Sequence, residues 1–147
     1  MTKSQSKHRV FFDASVLVAG FLSATGASRK LCRMSQESKI HALCSANIVD
    51  ETTQAIRRYT GKQQDEAVLF FLHEHKVIIH EYILDSESDQ YSSAVDSLDA
   101  HVIAGALMIQ CSHLVSLDKR HLVRPDIQKH FAPQIHILTP GEYLKNP

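Results

Sequence analysis

Residues 8 to 18 read HRVFFDASVLV: His8 and Arg9, the apolar run Val10-Phe11-Phe12, then Asp13, with the apolar pattern resuming in Ala14-Ser15-Val16-Leu17-Val18. An unbroken run of valine and phenylalanine reads as a buried strand, and the pattern from Val16 to Leu22 reads as a helix. A carboxylate stands at the junction. A helix N-cap explains it, because the side-chain oxygen takes up a free backbone N–H of the first turn. A metal ligand or catalytic acid explains it too, and the choice rests on the rest of the chain.

The bulk numbers narrow the classes. At 147 residues the chain is expected to form a single domain over residues 8–147, behind a disordered leader over residues 1–7 that is too short and polar for a signal peptide. Asp13, Gly20 and Ser23 interrupt the longest apolar stretch, so nothing approaches the roughly 20 residues of a membrane span. Cys32, Cys44 and Cys111 lie far apart with no CxxC, which predicts buried thiols in a reducing, cytoplasmic setting. Sixteen basic residues balance sixteen acidic ones, so a nucleic-acid partner would need a local basic patch rather than bulk charge. The candidates are Arg29, Lys30 and Arg33 on one helix, and Lys119, Arg120 and Arg124 further on; a solvated face explains them equally. His73 and His75 are two apart, which on a helix points them to different faces and argues against a metal site there.

Along the chain, short apolar runs alternate with helical patterns. Strands are expected at Val10–Phe12, His41–Cys44, Val77–His80, His113–Leu117 and Gln134–Leu138. Helices are expected at Val16–Leu22, around Leu31, Cys32 and Met34, from an N-cap at Ser45 to about Tyr59 with Gly61 as the stop, at Gln63–His75 and at Ala100–Gln110. The small residues Ala100, Ala104, Gly105 and Ala106 permit that last helix to pack closely on a sheet. Residues 85–91, acidic and serine-rich, read as a loop, and Asp126 reads as a helix cap after Pro125. Thr139-Pro140-Gly141-Glu142 reads as a capped final turn. Strands alternating with helices predict an α/β fold: a three-layer α/β/α sandwich with a central parallel sheet.

That topology gives four acids a common destination. Asp13 and Asp118 each follow a strand, Glu51 lies in the helix after the second strand, and Asp99 opens the helix Ala100–Gln110. In a parallel α/β sheet, strand C-termini and helix N-termini share one rim, where ligand sites form. Each acid alone is explained by a cap, a turn or a solvated face; Glu51 and Arg58, seven apart, could simply share such a face. Four carboxylates at one rim repel one another unless a cation neutralises them, and Mg²⁺ or Mn²⁺ suits oxygen ligands and phosphate chemistry. Neither a P-loop nor a dinucleotide glycine pattern occurs, so no nucleotide cofactor is expected.

In order and spacing, four pieces resemble the PIN-domain nucleases: Val10–Val18, Ser45–Glu51, Asp99–Ala106 and His113–Asp118. The closing Ile135–Leu144 is similar to that family's last strand and C-terminal cap, so the resemblance spans roughly residues 8 to 144. It implies a metal-dependent endoribonuclease that cuts RNA with Mg²⁺ or Mn²⁺. Asp13, Glu51, Asp99 and Asp118 match the family's acidic quartet, with Asp13, Asp99 and Asp118 as metal ligands. Ser15 and Ser116 match small polar positions that support the acids, and Asp96 is a possible fifth acid. Leu117 stands where many relatives have glycine, and His121 where many have a further acid. Many small PIN proteins are toxins of bacterial toxin–antitoxin pairs and form homodimers, which implies an antitoxin and a second copy as partners. A catalytically weak PIN domain that binds RNA or protein is the alternative. A haloacid-dehalogenase-type phosphatase also begins with an apolar strand and Asp, but needs a second aspartate where Ser15 stands.

Overall fold

In the computed structural model, Val10, Phe11 and Phe12 are wholly inaccessible to solvent in the middle strand of a five-stranded parallel sheet. The structure describes residues 7–147; residues 1–6 of the expected leader lie outside the described residues. A strand buried on both faces has no polar alternation, which is why the apolar run is continuous. This strand, β1 (Arg9–Phe12), is flanked by β2 (His41–Ser45) and by β4 (His113–Val115), with β3 (Ile78–His80) and β5 (His136–Leu138) at the edges. The sheet order is β3-β2-β1-β4-β5. The chain lays strands outward from β1 on one side, then crosses to build the other side. The β1–β4 crevice is therefore the topological switch point, where the connections leave in opposite directions.

Among the described residues, eight helices cover both faces: α1 (Ala14–Leu22), α2 (Ala27–Gln36), α3 (Ala46–Thr60), α4 (Asp65–Glu74), α5 (Asp85–Ser88), α6 (Ala100–Met108), α7 (Pro125–Phe131) and α8 (Pro140–Lys145). Local chemistry sets their ends. The Ser45 hydroxyl accepts the Ile48 N–H to start α3, and Gly61 ends it at φ 70°, a left-handed conformation that needs no β-carbon. Thr139 and Glu142 form the reciprocal capping box that opens α8. Helix α6 lies so close to β1 that a β-carbon at Gly105 would stand 2.9 Å from Phe11 Cζ. The expected stripe of small residues serves that approach.

Two expectations need correction. Residues 85–91 are not a loop: α5 is followed by a 3₁₀ turn (Asp89–Tyr91). The Glu87 carboxylate accepts the Leu84 N–H and the Ser88 hydroxyl donates back to the Leu84 and Asp85 carbonyls, so local side chains satisfy a single turn that has no apolar periodicity. Asp126 is not a cap either; it lies inside the first turn of α7 and pairs twice with Arg124 at 3.0 Å. His75 is a core residue whose Nδ1 meets the Phe71 carbonyl at 2.8 Å. The three cysteines are free and buried, and no helix among the described residues is long and apolar enough to cross a membrane.

At the opposite rim, three imidazoles at the starts of β1, β4 and β5 line up, His8 just before its strand. His8 and His113 stack at 4.4 Å, and His113 and His136 lie 5.2 Å apart. Burial and the two neighbouring rings push His113 down to about 4. An imidazole held neutral in the fold but free to charge when unfolded gives stability that is complete above its ordinary value near 6.5 and is lost as pH falls toward 4. His113→Phe keeps the stack without the titration. Urea midpoints at pH 7 and pH 4.5 are expected to differ less in that variant, by on the order of 1 kcal/mol after solvent screening of a half-buried ring.

Candidate metal centre

Asp13 follows β1 directly, its N–H extending the sheet ladder to the Val115 carbonyl at 3.0 Å. It does cap α1, with Oδ1 accepting the Ala14 N–H at 2.9 Å. Capping leaves its second oxygen for other work. Oδ2 accepts the Ser116 hydroxyl at 2.7 Å and the Ser15 hydroxyl at 3.0 Å. Both hydroxyls are oriented from behind: Ser15 Oγ accepts the Leu117 N–H and Ser116 Oγ accepts the Asp118 N–H, each at 3.0 Å. Each serine thus has its proton free for Asp13, and the pair stitches the end of β1 to the end of β4. Asp13 is only 7% exposed. Burial pushes its carboxyl up, while Ser116, Ser15 and the Ala14 N–H pull it back and the Glu51 charge pushes it further up.

Asp118 is shaped by its own turn. Its Oδ1 accepts the Arg120 and His121 N–H groups, and Oδ2 lies 3.1 Å from His121 Nδ1. Asp99 immediately precedes α6 without capping it, so its carboxylate is free to face the crevice. Ligand atoms of Asp99, Asp118 and His121 all lie within 4.8 Å of one another, and these three could hold one cation. Burial, then the charges of Asp118 and Asp13, push Asp99 up to about 6, against the pull of His121.

That shift has a checkable sign. A carboxyl raised above its ordinary value binds its proton more tightly in the fold, so it costs stability as pH rises from about 4 through 6. Asp99→Asn should therefore stabilise the metal-free protein at pH 7.5 by about 1 kcal/mol, after discounting for a half-open cleft, and do little at pH 4. Added Mn²⁺ should reverse the order, raising the melting temperature of the wild type alone.

Glu51 reaches the same cleft from α3 but stands apart from the trio. His101 Nε2 holds its Oε1 at 2.5 Å. Burial works against charging His101, but the Glu51 hydrogen bond and charge, with Asp13 and Asp99 behind them, leave its proton more tightly held than usual. The cleft has a volume of about 740 Å³ and is lined by Asp13, Ser15, Glu51, Asp99 and Asp118. A larger hollow of about 1090 Å³, at the N-terminal ends of β4 and β5, has Asp126 as the one acid in its lining among the described residues.

The structure therefore brings all four sequence-predicted acids and Ser15 to one crevice, with Ser116 fully buried behind Asp13. Asp96 stays outside it, exposed, with its Oδ1 accepting the Leu98 N–H. The predicted basic residues do not line the cleft. Arg29 binds the Gly20 and Phe21 carbonyls and lies over Phe71; Arg33 binds the Ala24 carbonyl; Arg124 pairs with Asp126. Lys30, Lys119 and Arg120 are exposed beyond the cleft lining. Sequence reasoning gave no role to His101 or His121. His121 is spaced i+3 from Asp118, a usable signal, whereas nothing local ties His101 to a glutamate fifty positions earlier. Arg58 does line the cleft, and its spacing from Glu51 on one helical face was the signal for it.

Comparison with known proteins assigns the chain to a family. The sequence matches the family described as PIN domain over residues 9–120, most of the chain. The chain belongs to the PIN-domain family. No match is found among curated proteins. Among solved structures, it is similar to VapC20 of Mycobacterium tuberculosis, a toxin that cleaves the sarcin–ricin loop: TM-score 0.56 and 16% identity, covering 76% of this chain and 91% of that one. It is also similar to VapBC2 of Rickettsia felis, bound to a DNA fragment from its promoter: TM-score 0.58 and 12% identity, covering 88% and 96%. At these identities the likeness shows a common fold.

Proposed function

We propose that the protein is a divalent-metal-dependent endoribonuclease that hydrolyses RNA phosphodiester bonds, of the toxin type within its family. One observation carries this reading. Carboxylates just after β1, in α3, just before α6 and just after β4 share a crevice in which Asp99 is pushed up to about 6 by burial and by Asp118 and Asp13. An arrangement that costs the empty fold stability is the arrangement a cation repays.

The donor set fits such an ion. Carboxylate oxygens suit Mg²⁺ and Mn²⁺, and the added imidazole of His121 favours Mn²⁺ of the two. Asp99, Asp118 and His121 would hold it, and Asp13, outside that trio but in the same crevice, would complete the set. When bound, a divalent cation acidifies a water and offsets charge developing on the phosphate. The chain's own groups supply the rest. Ser15 and Ser116 fix Asp13 and oppose part of the upward push that burial gives its carboxyl, and the Asp118 turn holds that carboxylate against the crevice. Glu51, anchored by His101, is placed to orient the attacking water or accept its proton.

RNA as substrate, an antitoxin as partner, a homodimer and a cytoplasmic location belong to the same proposal. The likeness to a VapC toxin and to a VapBC protein supports it. The test is cleavage of a panel of structured and single-stranded RNAs with Mn²⁺ or Mg²⁺ and with EDTA. Cation-dependent cleavage supports the reading, and an inert wild type across the panel would leave an RNA- or protein-binding domain instead. Arrested growth on induced expression supports the toxin role; unaffected growth in every suitable host counts against it.

A further inference from the structure

The cleft does not end at the carboxylates. It continues between α1 and α3, from Asp13 and Glu51 to Leu22 and Tyr59. Leu22, the last residue of α1, lies nine positions after Asp13, a run of about 13 Å. On α3, Glu51, Ala55, Arg58 and Tyr59 follow at i, i+4, i+7 and i+8, so one helical face carries an acid, an apolar step, a cation and an aromatic ring in order.

Two of these groups lack partners. Arg58 is the one cation lining the cleft among the described residues, and its guanidinium makes no ion pair or hydrogen bond among them. Tyr59 is 77% exposed, with neither a ring neighbour nor a hydroxyl partner among them. Across the cleft Leu98 is 80% exposed, and Leu117 also shows its side chain. Apolar groups gathered on the lips of one charged cleft mark a surface meant to be covered.

We propose that this groove is a subsite for single-stranded RNA, with Arg58 meeting a phosphate next to the one at the carboxylates and Tyr59 stacking on an unpaired base. The proposal rests on the nuclease reading and names the form of its substrate. The order of charge selects this occupant. A basic peptide would be drawn to the carboxylates and repelled at Arg58. A phosphate chain meets a cation at both places once the acid cluster holds its ion. A duplex keeps its bases stacked inward, whereas Tyr59 needs an exposed base face.

The probe is a short single-stranded RNA carrying 2-aminopurine, with the matching duplex as control. Binding is followed in Ca²⁺ and cleavage, separately, in Mn²⁺. Tyr59→Phe should bind as the wild type does. Tyr59→Ala should weaken binding of the single strand by roughly tenfold or more and abolish quenching of the fluorescent base. Arg58→Gln should weaken binding and flatten its salt dependence by about one phosphate contact. The duplex should bind weakly and ignore Tyr59.

A Tyr59→Ala variant that binds and quenches like the wild type overturns the subsite. So does a duplex bound as tightly as the single strand. A wild type that cleaves RNA while ignoring Tyr59 overturns the subsite and leaves the nuclease. An inert wild type that still binds single strands through Tyr59 keeps the subsite and removes the cleavage. If a basic amphipathic peptide, rather than RNA, depends on Tyr59 for binding, the groove belongs to a protein partner and the proposal is wrong.

Discussion

Asp13→Asn is expected to lower cation-dependent RNA cleavage by roughly 10³-fold or more while the protein stays folded. The size follows from the several kcal/mol of charge stabilisation that a bound cation supplies, at about 1.4 kcal/mol for each factor of ten. Folding survives because the amide oxygen still accepts the Ala14 N–H, and its N–H₂ faces the two serine hydroxyls, which turn their protons elsewhere. Removing a 7%-exposed negative charge also offsets part of any lost hydrogen bonding. Ser116→Ala should cost less, roughly 10- to 100-fold, because it loosens both Asp13 and the Asp118 N–H without removing a ligand. Initial rates in Mn²⁺, with melting curves on the same samples, separate the two effects. An Asp13→Asn enzyme that still cuts RNA at near wild-type rate would exclude this carboxylate from the chemistry.

Gly105→Val carries the largest expected loss of stability, about 3 kcal/mol. Even a single β-carbon there lies 2.9 Å and 3.1 Å from the end of the Phe11 ring and 3.5 Å from Ile83. Phe11 cannot step aside, since it is wholly buried in the middle strand. Overpacking of this kind costs about 1–3 kcal/mol or more, which exceeds the roughly 1 kcal/mol that a helix gains by losing glycine. For a chain of this length the melting temperature should fall by about 6–12 °C. Gly105→Ala should fall less, and Phe11→Leu should cost less in that background than in the wild type, because the two residues share the space. Additive costs would show that the close approach of α6 to β1 is not the cause.

The main features were readable from sequence where one local rule was enough. Val10-Phe11-Phe12 read as a buried strand, and it is one. Ser45 and Gly61 announced the ends of α3, and the parallel topology then sent Asp13, Glu51, Asp99 and Asp118 to one rim. What was not readable depends on partners distant in sequence or on backbone groups. Arg29 and Arg33 looked like a basic patch, but the last carbonyls of α1 and its following turn take them up, and no spacing announces open carbonyls on a neighbouring helix. His101 sits inside an apolar helix pattern, and only the fold sets it against Glu51. His121 joins the acids because Asp118 accepts two N–H groups from its own turn, which swings the ring back over the crevice. Residues 85–91 coil through bonds between neighbouring side chains and backbone, with no periodicity to read.

The cation itself is the central claim, and Mn²⁺ binding followed by electron paramagnetic resonance tests it most directly. The wild type should take up Mn²⁺ in competition with Mg²⁺, and Asp13→Asn, Asp99→Asn and Asp118→Asn should each lose most of that uptake. His121→Ala should weaken Mn²⁺ more than Mg²⁺, as expected for an imidazole among oxygens. Uptake that is absent in the wild type, or unchanged when these aspartates are replaced, would contradict a metal centre at the β1–β4 crevice.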